Sequence, residues 1–344
     1  MTTDSKFNGY RIDPGDRFVC IAFEGLFPLP RLADFGAAGL HLDNASWAAW
    51  QLPFDPRGCT QLGERDREQL LRATFVLSVG RRAPLPMAQI EPENDALPQR
   101  AENLLYGLVV SGGVGYKKAY RIAGAHLGDR VEARLDLEQQ IFFPSMYRQA
   151  GQPPAPLTTE TFHSARRFAD RLERVRQEHV LKAKDDLAYW RFISGLSAFL
   201  DGCRTRVDRY DVRLHQFVRG IESFLPTDAF GARKFTQHAQ RLVTDSTGVS
   251  VVSTLNEMYR LRSKFEHHEH WKEANLSGPV PERTVVARLH QAEALCREIY
   301  RRMFANSSDN SHFLRTALDI GELWSKGGNL DAIWGAPFDL GLIS

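Results

Sequence analysis

Residues Gly151-Gln152-Pro153-Pro154-Ala155-Pro156 hold three prolines in four positions. Proline donates no backbone hydrogen bond and locks its own φ, so neither a sheet ladder nor a helix interior runs through this stretch. It is an extended connection, and the sequence pattern changes across it. The expected class is α+β, with a β-rich domain over residues 1–156 and a helical region over 157–344. At 344 residues the chain is long enough for two such units.

Before the connection, Phe18-Val19-Cys20-Ile21-Ala22-Phe23 is a short apolar run of the kind a buried strand presents. Ala73–Val79 is a second, Leu104–Val110 a third and Tyr116–Ile122 a fourth, with Arg130–Leu135 alternating as a fifth. Ser111-Gly112-Gly113-Val114-Gly115 reads as the hairpin turn between the third and fourth. Lys117 and Lys118 follow these glycines, but a strand comes next rather than a helix, and the spacings of a phosphate loop are absent. Ala83–Pro98 is a long polar loop with four prolines. His41 and His126 have no partner spacing.

After it, Thr158 or Thr159 can cap a helix. Apolar residues then recur every three or four positions from Ala165 to Val175, and again from Leu187 to Leu200, where Asp201-Gly202 reads as a break. Leu214–Leu225, Phe235–Val243 and Val252–Leu261 follow, the second stopping near Gly248. Val285, Leu289, Ala292, Cys296, Ile299 and Met303 form a narrow seam suited to a bundle core or to a partner helix. Trp324, Trp334 and Phe338 are expected to pack the tail onto the domain.

Charge and cysteines narrow the classes. Residues 1–150 carry 17 basic and 18 acidic side chains, whereas residues 161–220 carry 13 and 8, a net of +5. That basic stretch suits an anionic partner such as RNA, or a solvated helix face. The four cysteines are far apart with no CxxC spacing, as expected of buried reduced thiols. No leader pattern and no apolar run of membrane-spanning length is visible, so no membrane partner and a cytoplasmic location are expected.

The stretch with the most chemistry is Tyr259-Arg260-Leu261-Arg262-Ser263-Lys264-Phe265-Glu266-His267-His268. Arginine suits phosphate, and histidine can move a proton near neutral pH. With His215–Leu225 and Lys234–Leu242 as further blocks, this region resembles a HEPN domain of the Apea-like branch, over about residues 205–306. The similarity is to that family's tyrosine followed by its Rx4–6H motif, here Arg262 to His267. A departure is His268, where the family often has a small or acidic residue.

The resemblance implies a metal-independent endoribonuclease without cofactor, which leaves a 2′,3′-cyclic phosphate. Arg262 would bind phosphate and His267 would be the acid/base, with Ser263, Lys264, Glu222 and His268 in support. It also implies an RNA substrate, a homodimer whose motifs share a cleft, and a role in phage defence, with a trigger or protein partner engaging the N-terminal domain. The alternatives are a non-catalytic HEPN interaction or RNA-binding module in a defence or toxin–antitoxin complex, and a nucleotidyltransferase-regulating antitoxin partner. His267, His268 and His270 with Glu266 and Glu269 could instead hold a metal, although the spacing is not HExxH. A polar helix end with exposed histidines is the plainest reading. On an ideal helix, positions five apart diverge by ~140°. Arg262 and His267 therefore need a helix end between them or a second copy of the chain to meet.

Overall fold

The computed structural model describes residues 12–27, 40–41, 46–49, 52–82, 96–128, 130–142, 156–181, 187–226, 231–267, 276, 281–305, 324, 330 and 334–343. It is a mixed α+β chain that divides into two compact units. The first holds residues up to Pro144 together with Pro156–Ala169, and the second holds Ser145–Ala155 and Asp170–Ser344. The division thus falls inside a helix, some way past the proline-rich connection.

In the first unit, β1 (Asp16–Glu24), β2 (Leu40–His41), β3 (Ser46–Ala49), β4 (Phe75–Arg82), β5 (Tyr116–Leu127) and β6 (Arg130–Phe142) form one antiparallel sheet. Its order is β2-β3-β4-β1-β5-β6. β1 is apolar from Phe18 to Phe23 because both of its faces are covered there. Phe18, Cys20 and Ala22 join a core with Leu52, Phe54, Leu62, Leu70, Tyr120 and Ile122, beside α1 (Glu64–Arg72). The alternate residues Val19, Ile21 and Phe23 are equally buried, and α2 (Leu97–Gly112) packs on β1 and β4.

Helix α2 corrects the strand expected at Leu104–Val110. A continuous apolar run has no period with which to tell a buried strand from a buried helix. Pro98 starts the helix where a missing N–H costs nothing. Gly113, at φ 61° and ψ 32°, ends it, its N–H bonding Val109 O at 3.2 Å. The glycines are therefore a helix cap and not a hairpin turn. Ala83–Asp95, most of the expected polar loop, lies outside the described residues.

Helix α3 (Thr159–Leu181) begins in the first unit. There Gly107 of α2 lies so close to Ala165 that a β-carbon would stand 2.4 Å from its carbonyl oxygen. The second unit contains α4 (Leu187–Arg204), α5 (Tyr210–Glu222), α6 (Ala232–Ala239), α7 (Val251–Glu266) and α8 (Pro281–Ala305). Helix α5 packs against α4, α7 and α8. Asp201-Gly202 does not break α4, which continues to Arg204. Gly202 is there because the Phe217 ring needs the space, a β-carbon meeting it at 2.6 Å.

Helix α6 ends earlier than expected, because Val243–Thr244 is drawn into a strand, β7. It pairs in parallel with β8 (Phe338–Asp339) of the tail. The tail tryptophans are buried. Trp324 Nε1–H donates to Phe224 O at 2.9 Å and Trp334 Nε1–H to Leu242 O at 2.8 Å. The seam of α8 is core, and the helix is buried on every side from Gln291 to Tyr300.

Candidate functional site

Helix α7 starts with Ser250, whose Oγ accepts the Ser253 N–H at 3.3 Å. Thr254, Leu255, Met258 and Leu261 fix its inner face. Tyr259 joins it to the start of α6. The ring centroid lies 5.3 Å from that of Phe235, and its hydroxyl oxygen accepts the Gly231 N–H at 3.0 Å. One turn on, the Arg262 guanidinium carbon lies 5.6 Å from the centre of the Tyr259 ring.

Arg262 is only 16% exposed. Its Nη2 stands 3.5 Å from Glu222 Oε2 on α5, and Nη1 is tightly paired with Glu266 one turn further along α7. The Nε is buried and has no hydrogen-bond partner among the described residues. On the facing helix, Arg191 of α4 donates to the carbonyls of Glu222 and Leu225 at 3.1 and 2.8 Å, which caps the end of α5. Burial pushes Glu222 above the ordinary carboxylate range. Glu266 adds to that push, and Arg262, Arg219 and Arg191 oppose it.

The helix does not end between Arg262 and His267. It runs through Glu266, and His267 is its C-terminal cap, exposed, with its N–H on Ser263 O at 3.1 Å. Thus Arg262 and Glu222 come together within one chain, while His267 sits at the helix end, about 140° around the axis by ideal geometry. Ser263 and Lys264 are half-buried on α7. His268, and with it the Glu269 and His270 of the metal reading, lies outside the described residues. Among the described residues no group of three or more His, Cys, Asp or Glu is placed to hold a metal.

The site contains a residue that the sequence did not single out. His215 stands on α5 four positions before Arg219 and seven before Glu222, hence on the face turned to α7. It is half-buried, with Nδ1 fully enclosed and unpaired. Burial holds it below the ordinary imidazole range, helped by Arg262 and Arg219, against Glu266 and the Arg262 backbone. The i, i+4, i+7 spacing of His215, Arg219 and Glu222 was the available signal.

Part of the basic stretch, at the turn from α4 to α5, is matched by local acids. Arg204, Arg206 and Arg209 pair with Asp201, Asp208 and Asp211 at 3.8, 2.8 and 3.1 Å, all exposed. All four cysteines are free and buried. Burial drives Cys20 and Cys203 to about 12, where a thiol is unreactive. Among the described residues no helix is long and apolar enough to cross a membrane.

No family model, no curated protein and no solved structure matches this chain.

Proposed function

We propose that the helices of the second unit form a HEPN-type, metal-independent endoribonuclease acting as a homodimer in phage defence. The observation that carries this reading is Arg262, set at the end of α7 and braced by Glu222 from α5. RNA supplies its own nucleophile, the 2′-hydroxyl. Arg262 holds the phosphate and offsets the charge that builds on it, and an imidazole moves the proton. The products are a 2′,3′-cyclic phosphate and a 5′-hydroxyl, with no metal required. Because Arg262 and His267 diverge on one helix, a second copy of the chain brings the two kinds of residue into one cleft. The first unit then engages the trigger or protein partner.

One observation favours a second reading, a non-catalytic RNA-binding or interaction module. Arg262 already faces two carboxylates, Glu222 and Glu266, which a phosphate must share or displace.

The test incubates the purified chain with total RNA in EDTA, beside Arg262→Ala and His267→Ala. Removal of a group that meets charge in the transition state costs about 100- to 1,000-fold in rate. Cleavage by the wild type and losses of that size in both variants are expected. Equal inactivity of all three with RNA still bound establishes the binding module. Cleavage that EDTA abolishes establishes a metal site.

A further inference from the structure

We propose that Arg219 binds the phosphate next along the RNA strand from the one that Arg262 holds. This rests on the RNA-cleaving reading above and adds a second phosphate contact to that site.

The argument begins with the helix. Positions 215, 219 and 222 fall within ~60° on an ideal helix, with Arg219 at one edge of that arc. The other two turn inward. Glu222 reaches Arg262 across the packed pair α5 and α7, and His215 lies beside the Arg262 backbone. Arg219 is exposed. It stands three residues before Glu222, a rise of ~4.5 Å along the axis.

The charge of Arg219 has no local match. Arg206 and Arg209, the exposed arginines just before α5, each pair with an aspartate two residues on. For Arg219 the acid on the same face is Glu222, at i+3, and that carboxylate is turned to Arg262. Among the described residues the Arg219 guanidinium has no ion pair and no hydrogen bond. The fields of Arg219 and Arg262 both reach Glu222 and His215. Three arginines, Arg262, Arg219 and Arg191, thus act on Glu222, with Glu266 as the second carboxylate of the cluster. Arg262 faces both carboxylates, and Arg191 donates to the carbonyls at the end of α5. The surplus positive charge is that of Arg219, on the solvent side.

A strand carries one negative charge per nucleotide, so a phosphate bound at Arg262 brings a neighbour with it. At Arg262 the phosphate shares the guanidinium with Glu222 and Glu266. At Arg219 it displaces nothing, and the planar fork of N–H donors suits two of its oxygens at once. Arg219 therefore supplies binding where Arg262, with two carboxylates beside it, supplies less. No bond is made or broken at Arg219; it holds the strand.

The experiment uses the full chain in EDTA with two RNAs, a dinucleotide with a single phosphate and a longer mixed-sequence single strand. Wild type, Arg219→Ala, Arg219→Lys and Arg262→Ala are compared, with thermal melts as the check on folding. Binding of the longer RNA is followed against salt concentration. Arg219→Ala is expected to lower the salt slope by about 0.7, the share of one single-strand phosphate contact. Arg219→Lys keeps the charge and keeps the slope. Loss of a charged hydrogen bond costs about tenfold or more. The kcat/KM of Arg219→Ala should fall by about that factor more on the longer RNA than on the dinucleotide, chiefly through KM. Arg262→Ala loses rate on both. A slope that Arg219→Ala leaves unchanged overturns the proposal and leaves the ribonuclease reading standing. An equal loss on the two RNAs also overturns it, because Arg219 then acts at the scissile phosphate. Where the wild type binds the longer RNA but leaves either RNA uncut, the slope alone decides. A wild type that neither binds nor cleaves RNA overturns the ribonuclease reading, and this proposal with it.

Discussion

Helix α5 carries two arginine–glutamate clusters of similar composition, and they behave as different devices. Near its start, Arg213 pairs with Glu293 of α8 at 3.0 Å, both side chains 1% exposed, and Arg297 closes on the same glutamate at 3.1 Å. The Phe217 and Phe199 rings lie beneath the two guanidiniums, and Arg213 Nε–H donates to the Gly202 carbonyl. Near its end, Glu222 meets Arg262 and Glu266 at 16%, 16% and 41% exposure. The sealed cluster has aromatic and backbone partners around it, so no ligand reaches it, and it fixes how α5 and α8 meet. The edge cluster has a looser pair and lies partly open to solvent. Exposure, more than residue type, separates the two clusters.

The largest expected effect breaks the sealed cluster. Glu293→Ala leaves two arginines facing each other in the core. Removing one partner of a buried pair costs about 3–5 kcal/mol. Urea unfolding of the variant should show a loss of that order, whereas replacing all three members, Arg213→Met, Glu293→Leu and Arg297→Leu, should recover most of it. A loss below about 1 kcal/mol for Glu293→Ala would show that water or relaxation reaches the cluster.

The same contrast explains what the sequence reveals. Strands β1, β4, β5 and β6 are visible in it because their apolar runs are bounded by turns, and α3 to α8 because a three–four period marks one buried face. The run Leu104–Val110 failed because it has no period, and the other failures concern long-range partners. Glu293 and Arg297 look like the wet side of a seam until Arg213, 80 residues away in sequence, is placed against them. Gly202 looks like a break until the Phe217 ring occupies its missing side chain. Val243 looks like the end of a helix until Phe338 pairs with it. In the candidate site, Arg262 and Glu222 are singled out only by the resemblance. His215 is not, because its significance comes from packing on α7.

The edge cluster should respond differently from the sealed one. Glu222 has its folded-state pKa raised, so ionisation is unfavourable in the folded chain. Below the ordinary value of 4.5 the carboxyl is protonated folded or unfolded and contributes no difference. As pH rises from there through the folded-state value, the unfolded chain ionises first and wild-type stability falls. Glu222→Gln removes that fall. Relative to wild type, the variant should gain stability between pH 4 and 7 in parallel urea titrations; on the proposed ribonuclease reading, RNA cleavage should also drop because Arg262 loses a brace. A variant that loses ground to wild type over this range would show that the Arg262 pair, rather than desolvation, governs Glu222.

The smallest effect concerns the turn from α4 to α5, where net positive charge first suggested a nucleic-acid face. Its three arginines lie beside acids two or three residues away, in pairs that solvent screens. Asp208→Asn exposes one unpaired guanidinium, that of Arg206. If RNA tracked this turn, each added phosphate contact would steepen the salt dependence of binding. The expectation is an unchanged slope and an unchanged melting temperature, because the turn is a solvated helix junction. A steeper slope for Asp208→Asn would show that RNA reaches this turn.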